Sequence, residues 1–353
     1  MVHSPPEPVT AGALDTYLER GWFRFGGTMR TTRFTVWEER HLRSTIWTRT
    51  DIDRLHWSKS NRRLLNRVRK NYTIDVHPLD LTDAHEALYR RYCEYVGGER
   101  PSTLIDFLGG DEALDCYDTL QITVRQGREL AAFSLFDAGD TSVMSLLGAF
   151  DPHFQQHSLG MASMLLEVEF GRETGRSYHY SGYVLPGEPR MDYKLRVGAM
   201  EFLHPDHTVW QPIEALEHTV LPDERMRNAL DRVGRGLGRA GIRCRRMLNP
   251  LFELADSPVI PEPMIAEPML VMVNSRSEPF PIVTWDDRQR EYRLWTGQPA
   301  VIRHRRSWDG PERATGTALI DAAEGRFQTA TDVRDAIVEL LDARRTGRPG
   351  RKA

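Results

Sequence analysis

The sequence predicts an α/β (α+β) protein: a central mixed sheet with flanking helices, followed by an additional C-terminal α+β region. Three observations carry this. Strand-like and helix-like segments alternate as far as Asp206. One helix-like segment, 158–174, is apolar on several sides, as a helix lying against a sheet must be. After Asp206 the chain changes character and becomes rich in Arg, Gly and Pro.

Residues 1–12 are Pro-rich and predicted disordered. "ALDTYLER" (13–20) reads as a short helix ended by Gly21. From Trp22 to Ile52, period-two stretches such as "RFTVW" and "STIWT" predict two or three antiparallel strands. A helix over 58–70 and a strand, "YTIDVHP", follow; then come helices over 82–96 and 102–109. Strands are expected at 118–126, 129–138 and 141–149, the first two joined by Gly127-Arg128. The central helix starts at Ser158 and stops at Gly175, a strand covers 177–184, "EPRMDYKL" opens a short helix, and a last strand lies near 199–204. This order resembles the layout of the acyltransferases of the GNAT superfamily. Beyond it, 212–246 reads as helical and Arg-rich, 257–269 as a Pro-punctuated linker, 270–303 as short strands and 331–345 as a closing helix. The expected division is a region at 13–78, a GNAT-like catalytic domain at 79–208, a further domain at 209–345 and a basic tail at 346–353.

The 353 residues suffice for a large core. No apolar run is long enough to span a membrane, and no signal-peptide layout opens the chain. The three cysteines, Cys93, Cys116 and Cys244, are too sparse for a disulfide framework or a Cys-based zinc site, so a reducing, cytoplasmic setting is expected. The net charge of −3 is unevenly spread: cations crowd into 54–70, 225–246 and 343–352, acids into 75–118. Such blocks point to a polyanionic partner.

The basic blocks are candidates for that contact. On a wheel of about 100° per residue, Leu64, Leu65 and Val68 share one arc of 58–70, and Lys59, Arg62, Arg63, Arg67, Arg69 and Lys70 share the other. One face docks, and the other offers six cations to phosphates or to water. Arg232, Arg235, Arg239, Arg243 and Arg246 align within about 80° if 225–246 is one helix, but Gly234, Gly236, Gly238 and Gly241 weigh against that. "HSLGMA" puts Gly160 and Ala162 where acyl-CoA-binding GNAT helices carry small residues, with His157 at the position of their Gln or Arg. "SGYVLPGEPRMDYKLR" (181–196) is too polar for a core strand and too aromatic for a solvated loop. Tyr178 and Tyr180 precede it on one face of the strand, with His179 on the other.

"FDPHFQQHSLGMASMLLEVEF" followed by "YHYSGYVLPGEPRMDYKLRVGAMEFLHP" resembles the C-terminal block of the arginyl-tRNA–protein transferases and their bacterial relatives that transfer leucine. The matching positions are Asp151-Pro152, Ser158-Leu159-Gly160, Gly182-Tyr183, Met191-Asp192-Tyr193-Lys194 and Pro205. Upstream, Arg20, Gly21, Trp22, Arg24 and Gly26 match one family block, and Ser58, Lys59, Ser60, Arg62 and Arg63 another. Tyr89 and Tyr92 match a family Tyr-x-x-Tyr helix. The resemblance runs from about residue 14 to 206. It departs in having Phe23 in place of Arg and no cysteine before Cys93, so the family's N-terminal metal or iron–sulfur centre is not expected, nor any other cofactor.

The resemblance implies transfer of arginine or leucine from aminoacyl-tRNA to the N-terminal amine of acceptor proteins, typically those starting with Asp or Glu. It implies catalytic roles for Tyr183, Asp192 and Tyr193, with backbone amides near 149–151 or Ser181-Gly182 facing the carbonyl. Lys194 or Arg190 would pair with an acidic acceptor side chain. Arg24, Asp151, Ser158, Gly160, Tyr178 and Tyr180 complete the expected substrate site, and Lys59, Arg62, Arg63, Arg67 and Lys70 the tRNA surface. Three alternatives stay open from the residues: an acyl-CoA-dependent N-acyltransferase, a non-catalytic tRNA- or peptide-binding relative, and a transferase acting on a cell-wall precursor.

Overall fold

The computed structural model describes residues 2–3, 8–37, 41–98, 100–114, 116–255, 263–275, 278–303 and 315–346. In chain order the elements are β1 (Val2–His3), α1 (Ala11–Glu19), β2 (Phe23–Phe25), β3 (Thr28–Arg30), β4 (Phe34–Trp37), β5 (His41–Ser44), β6 (Ile46–Asp51), α2 (Lys59–Asn71) and β7 (Thr73–Pro78). Then come α3 (Asp83–Val96), α4 (Leu104–Leu108), α5 (Asp111–Leu114), β8 (Thr119–Gln126), β9 (Glu129–Ala138), β10 (Ser142–Phe150), α6 (Leu159–Glu173), β11 (Tyr178–Val184), β12 (Met200–Leu203) and β13 (Trp210–Pro212). The last elements are α7 (Pro222–Arg239), β14 (Cys244–Leu248), β15 (Met269–Val273), β16 (Phe280–Asp286), β17 (Glu291–Arg303), β18 (Thr315–Phe327) and α8 (Ala330–Thr346).

The chain divides into two units. One holds residues 1–32 and 45–216, the other 33–44 and 217–353. The expected boundaries therefore move: β6, inside the region placed at 13–78, pairs directly with β11, so 13–78 and 79–208 share one sheet. The segment 33–44 leaves for the second unit. At the N-terminus, β1 pairs with β3 and Val9 N–H bonds the Cys116 carbonyl at 2.7 Å, so these described residues of 1–12 are held by backbone hydrogen bonds.

The first unit is built on an eight-stranded sheet, β13-β12-β6-β11-β10-β9-β8-β7. Every neighbouring pair is antiparallel except β10–β11, which is parallel. A parallel pair needs a crossover, and α6 supplies it. Helix α6 shows why it is apolar on several sides: Leu159, Leu165 and Val168 sink into the core against the sheet, and α2 packs along it. Alternation along the strands sends the other sheet face elsewhere. Tyr180, Met144 and Trp47 meet Leu14 and Leu18 of α1, and Phe133, Leu135 and Leu147 meet α3 and α4.

The two parallel strands separate. Their register runs Ser142↔Tyr178, Val143↔His179 and Met144↔Tyr180, then stops. β10 continues to Phe150 alongside β9, and β11 continues to Val184 alongside β6. The sheet is therefore forked between 145–150 and 181–184. An irregularity marks each arm at the split, between Ser145 and Leu147 on β10 and between Tyr180 and Gly182 on β11. A mixed sheet flanked by helices, as expected, thus carries a fork at its one parallel pair.

In the second unit, β14-β15-β16-β17-β18 closes into a barrel, with β14 and β18 parallel at the seam. Helix α7 buries Met226, Leu230, Val233 and Leu237 with Val333 and Ile337 of α8. The hairpin β4–β5 contributes Phe34 and Leu42 to that core. The expected helix over 212–246 is shorter: it ends at Arg239, and Arg246 lies on β14, paired with Asp231. Residues 257–262 of the expected linker and 347–353 of the expected tail lie outside the described residues.

Candidate active site at the sheet fork

The fork exposes backbone that would otherwise be paired. Asp151 N–H bonds the Ala131 carbonyl at 2.9 Å, and Ala149 stands opposite Phe133 in the same register. Hydrogen-bonding direction alternates along a strand, so Ala149 also faces β9, while Gly148 and Phe150 turn their N–H groups away from β9 and into the fork. Of the amides expected near 149–151, those of Ala149 and Asp151 are thus spent in the sheet. On the opposite arm Gly182 has φ +84, a left-handed conformation that favours glycine. Thr48 Oγ1 binds this bend, lying 3.0 Å from the Gly182 carbonyl and 3.1 Å from Ser181 Oγ.

The segment after the Pro186-Gly187 turn folds back over this arm. Asp192–Arg196 forms a 3-10 turn. From it, Lys194 Nζ donates to the Tyr183 carbonyl at 3.0 Å. Lys194 has no carboxylate partner among the described residues, and burial pushes its pKa down to about 8. Tyr193 precedes it in the chain. Burial first, then Tyr92 and Glu167, push its hydroxyl up to about 12, against the pull of Arg100. The residue keeps 39% of its surface exposed, so water screens part of this rise, and the hydroxyl is protonated at neutral pH either way. The Asp192 carboxylate makes no hydrogen bond or ion pair with a described residue. Tyr92 and Tyr95 pack their rings on Phe150 at the end of the other arm, with centroids at 5.5 and 5.9 Å.

Beneath the fork lies a buried polar network that sequence reasoning did not find. Glu167 Oε2 contacts His179 Nε2 at 2.7 Å, and Glu167 Oε1 accepts from Ser145 Oγ at 3.2 Å and from Ser134 Oγ. Glu167 and His179 are fully buried, and His179 Nδ1 has no partner among the described residues. The period-two pattern put His179 on the face opposite Tyr178 and Tyr180, which the structure bears out, but its partner comes from another element.

The remaining expected site residues divide between the fork and the scaffold. Arg24 lies in the scaffold: its guanidinium is buried and bonds Asp137 at 2.9 Å, Thr119 Oγ1 at 2.8 Å and the Leu108 carbonyl, so it locks β2 to β9. Asp151 caps the turn before α6 through His153 N–H and holds Arg91 at 2.7 Å. Ser158 stands at φ 57 without capping α6 through its side chain, and a Cβ on Gly160 would press on the Phe150 ring at 3.3 Å. Tyr178 and Tyr180 serve Arg49, whose guanidinium lies 3.8 Å above the Tyr178 ring, donates to Tyr180 Oη at 3.3 Å and pairs with Glu201. The Tyr183 ring meets Trp47 edge-on at 5.1 Å. Arg190 pairs with Glu188 at the surface.

Helix α2 is set out as its sequence requires. Ser58 Oγ caps it by accepting from Asn61 N–H at 3.1 Å, and Leu65 and Val68 are buried. Lys59, Arg62, Arg63, Arg67, Arg69 and Lys70 are all exposed. Arg69 pairs with Glu169, and Arg67 donates to the His157 carbonyl at 3.2 Å. Lys59, Arg62, Arg63 and Lys70 make no ion pair among the described residues. Asn61 is buried and donates to the carbonyls of Arg196 and Val197 at 2.9 and 3.2 Å. It ties the basic helix to the segment that carries Tyr193 and Lys194.

A separate cavity of about 330 Å³ lies at the β6–β12 edge, lined by Asp51, Arg54, His56, Glu201 and Glu214 among others. It holds none of the expected site residues. No three metal-ligating side chains gather among the described residues.

The family model described as "Arginine-tRNA-protein transferase, C terminus" matches residues 84–204, which span α3 to β12 and so contain the fork. An aspartate/glutamate leucyltransferase of Helicobacter hepaticus is 31% identical over 195 residues, covering 53% of this chain and 77% of that protein. The chain belongs to the arginine-tRNA-protein transferase family. A second member, the aspartate/glutamate leucyltransferase of Leptospira interrogans, is 24% identical over 194 residues, 54% of this chain and 73% of its own. Likeness to solved structures is faint: a tandem GNAT protein from the clavulanic acid biosynthesis pathway aligns at a TM-score of 0.33 and 12% identity, over 56% of this chain and 58% of that one. The strand order and the fork, rather than this likeness, define the architecture. No described helix is long and apolar enough to cross a membrane.

Proposed function

We propose that this chain moves leucine from leucyl-tRNA to the N-terminal amine of acceptor proteins that begin with Asp or Glu. The observation that carries the reading is the fork with Tyr193 and Lys194 at its mouth, tied through Asn61 to a helix that exposes six cations. The relatives' names favour leucine over arginine and an acidic acceptor.

The chemistry needs little beyond positioning, because the aminoacyl ester is already activated. The ester carbonyl enters the fork, where the amides of Gly148 and Phe150 and the Tyr193 hydroxyl donate to the oxyanion. A hydroxyl held at about 12 is a donor at neutral pH, which gives Tyr193 that role in place of a base. The acceptor's neutral α-amine forms the new C–N bond, and the ester C–O bond breaks. Asp192 takes the amine's proton and returns one to the leaving ribose oxygen. Lys194, a half-buried ammonium without a carboxylate among the described residues, receives the acidic side chain of the acceptor. On α2, Lys59, Arg62, Arg63, Arg67 and Lys70 hold tRNA phosphates.

The test gives the full-length protein tRNA charged with labelled leucine or arginine, and peptides beginning with Asp, Glu or Ala. Leucine on the acidic peptides is expected. Labelling from arginyl-tRNA alone would overturn the choice of donor, and equal labelling of Ala peptides would overturn the role of Lys194.

A further inference from the structure

Helix α7 carries a second set of cations that the transfer reaction leaves without a task. Its buried face is Met226, Ala229, Leu230, Val233 and Leu237. On the opposite face Arg232, Arg235 and Arg239 are exposed and fall within about 60° of one another at about 100° per residue. They span about 10 Å of helix at about 1.5 Å per residue. None forms an ion pair among the described residues. Asp231, the acid closest to them in sequence, is taken by Arg246.

The glycines of α7 sharpen the point. A Cβ on Gly234 would contact Cys244, and one on Gly236 would contact Arg334, so both face packed structure. A Cβ on Gly238 would meet nothing within 4 Å. Glycine costs about 1 kcal/mol against alanine inside a helix, and nothing described in the fold requires it there. Gly238 lies beside Arg235 and Arg239 on the open face, where a side chain would stand in the way of a closely approaching partner.

We propose that this arginine face of the C-terminal unit is a second RNA-backbone contact, which binds the phosphates of the same tRNA whose amino acid is transferred. This rests on the reading of aminoacyl-tRNA as donor. Arginine is suited to the task, since its planar fork meets phosphate oxygens in pairs. The contact adds affinity and no chemistry, so it acts on tRNA binding and leaves the reacting fork untouched.

The test is tRNA binding by the full-length protein as a function of salt, with Arg232→Gln/Arg235→Gln/Arg239→Gln compared against Arg62→Gln/Arg63→Gln on α2. Each lost phosphate contact lowers the slope of log affinity against log salt by about 0.9. The triple α7 variant should lose about 2.7 from the slope, so that a fourfold rise in salt weakens its binding about 40-fold less than it weakens the wild type. Its transfer rate at saturating aminoacyl-tRNA should be unchanged. If the triple variant does not fold, Arg235→Gln alone should lower the slope by about 0.9. An unchanged slope in a folded α7 variant, with a reduced slope in the α2 variant, overturns this inference and leaves the donor reading standing. No tRNA binding by the wild type overturns both. Binding to phosphatidylserine vesicles that the α7 variant loses, with an unchanged RNA slope, overturns it in favour of a membrane surface.

Discussion

Lys194 offers the sharpest handle on acceptor choice. It is a half-buried ammonium whose one described hydrogen bond is to the Tyr183 carbonyl, and burial holds its pKa down to about 8. An incoming Asp or Glu side chain would give it the opposite charge that it lacks. A hydrogen bond to a charged group is worth about 1.5–3 kcal/mol, or roughly 10- to 150-fold. Lys194→Met keeps the stem and removes the charge. We expect kcat/KM for an Asp-initiated peptide to fall by that factor, with an Ala-initiated peptide nearly unaffected. The pH dependence follows with a definite sign. Below about pH 8 the free enzyme's Lys194 is charged and attracts the acceptor carboxylate; as pH rises through about 8 that attraction is lost. Both peptides share a rising limb as their α-amines deprotonate near pH 8. The Asp peptide should therefore show a bell, the Ala peptide a plateau. Initial rates of labelled transfer against pH, for both peptides and both proteins, measure this. Equal losses on the two peptides would refute the reasoning and reduce Lys194 to a brace for the Tyr183 carbonyl.

Other expectations follow from the same geometry. Tyr193→Phe removes one oxyanion donor and should lower kcat by about 10²–10³ with little change in KM for aminoacyl-tRNA, read from single-turnover transfer. Arg24→Met leaves Asp137 as an uncompensated buried carboxylate and should cost about 3–5 kcal/mol of stability, while Arg24→Met/Asp137→Asn should recover much of it; urea unfolding measures both. Gly182→Ala places a Cβ 3.5 Å from Lys194 Nζ on a left-handed backbone, so a cost of about 1–3 kcal/mol and reduced transfer are expected from unfolding and rate measurements. Gly238→Ala should raise stability by up to about 1 kcal/mol, visible as a higher Tm.

Much of the first unit could be read from local pattern. β9 was expected at 129–138 and runs Glu129–Ala138, because Gly127-Arg128 announces a tight turn between two period-two segments. α2 followed from the arc of Leu64, Leu65 and Val68. The fork segment stood out because its aromatics and charges fit neither core nor loop. What stayed hidden depends on contacts between distant residues. Nothing local says that 33–44 forms a hairpin in the second unit, because its partner surface, α7, begins almost two hundred residues later. β18 was not expected at all. Glycines inside α7 obscured both its extent and its end, since glycine weakens a helix and also terminates one. Arg24 matched a family block, but its partner Asp137 is 113 residues away, and only the fold shows that the guanidinium is consumed by the scaffold. Glu167 and His179 look like a helix residue and a strand residue until α6 crosses the sheet and brings them to 2.7 Å.

The central claim is tested most directly by incubating the full-length protein with leucyl-tRNA and an Asp-initiated peptide, then sequencing the product by tandem mass spectrometry. The account predicts one leucine joined by a peptide bond to the α-amine of the Asp residue, and none on the same peptide with its α-amine acetylated. Recovery of unmodified peptide, from a protein that binds the charged tRNA, would contradict it.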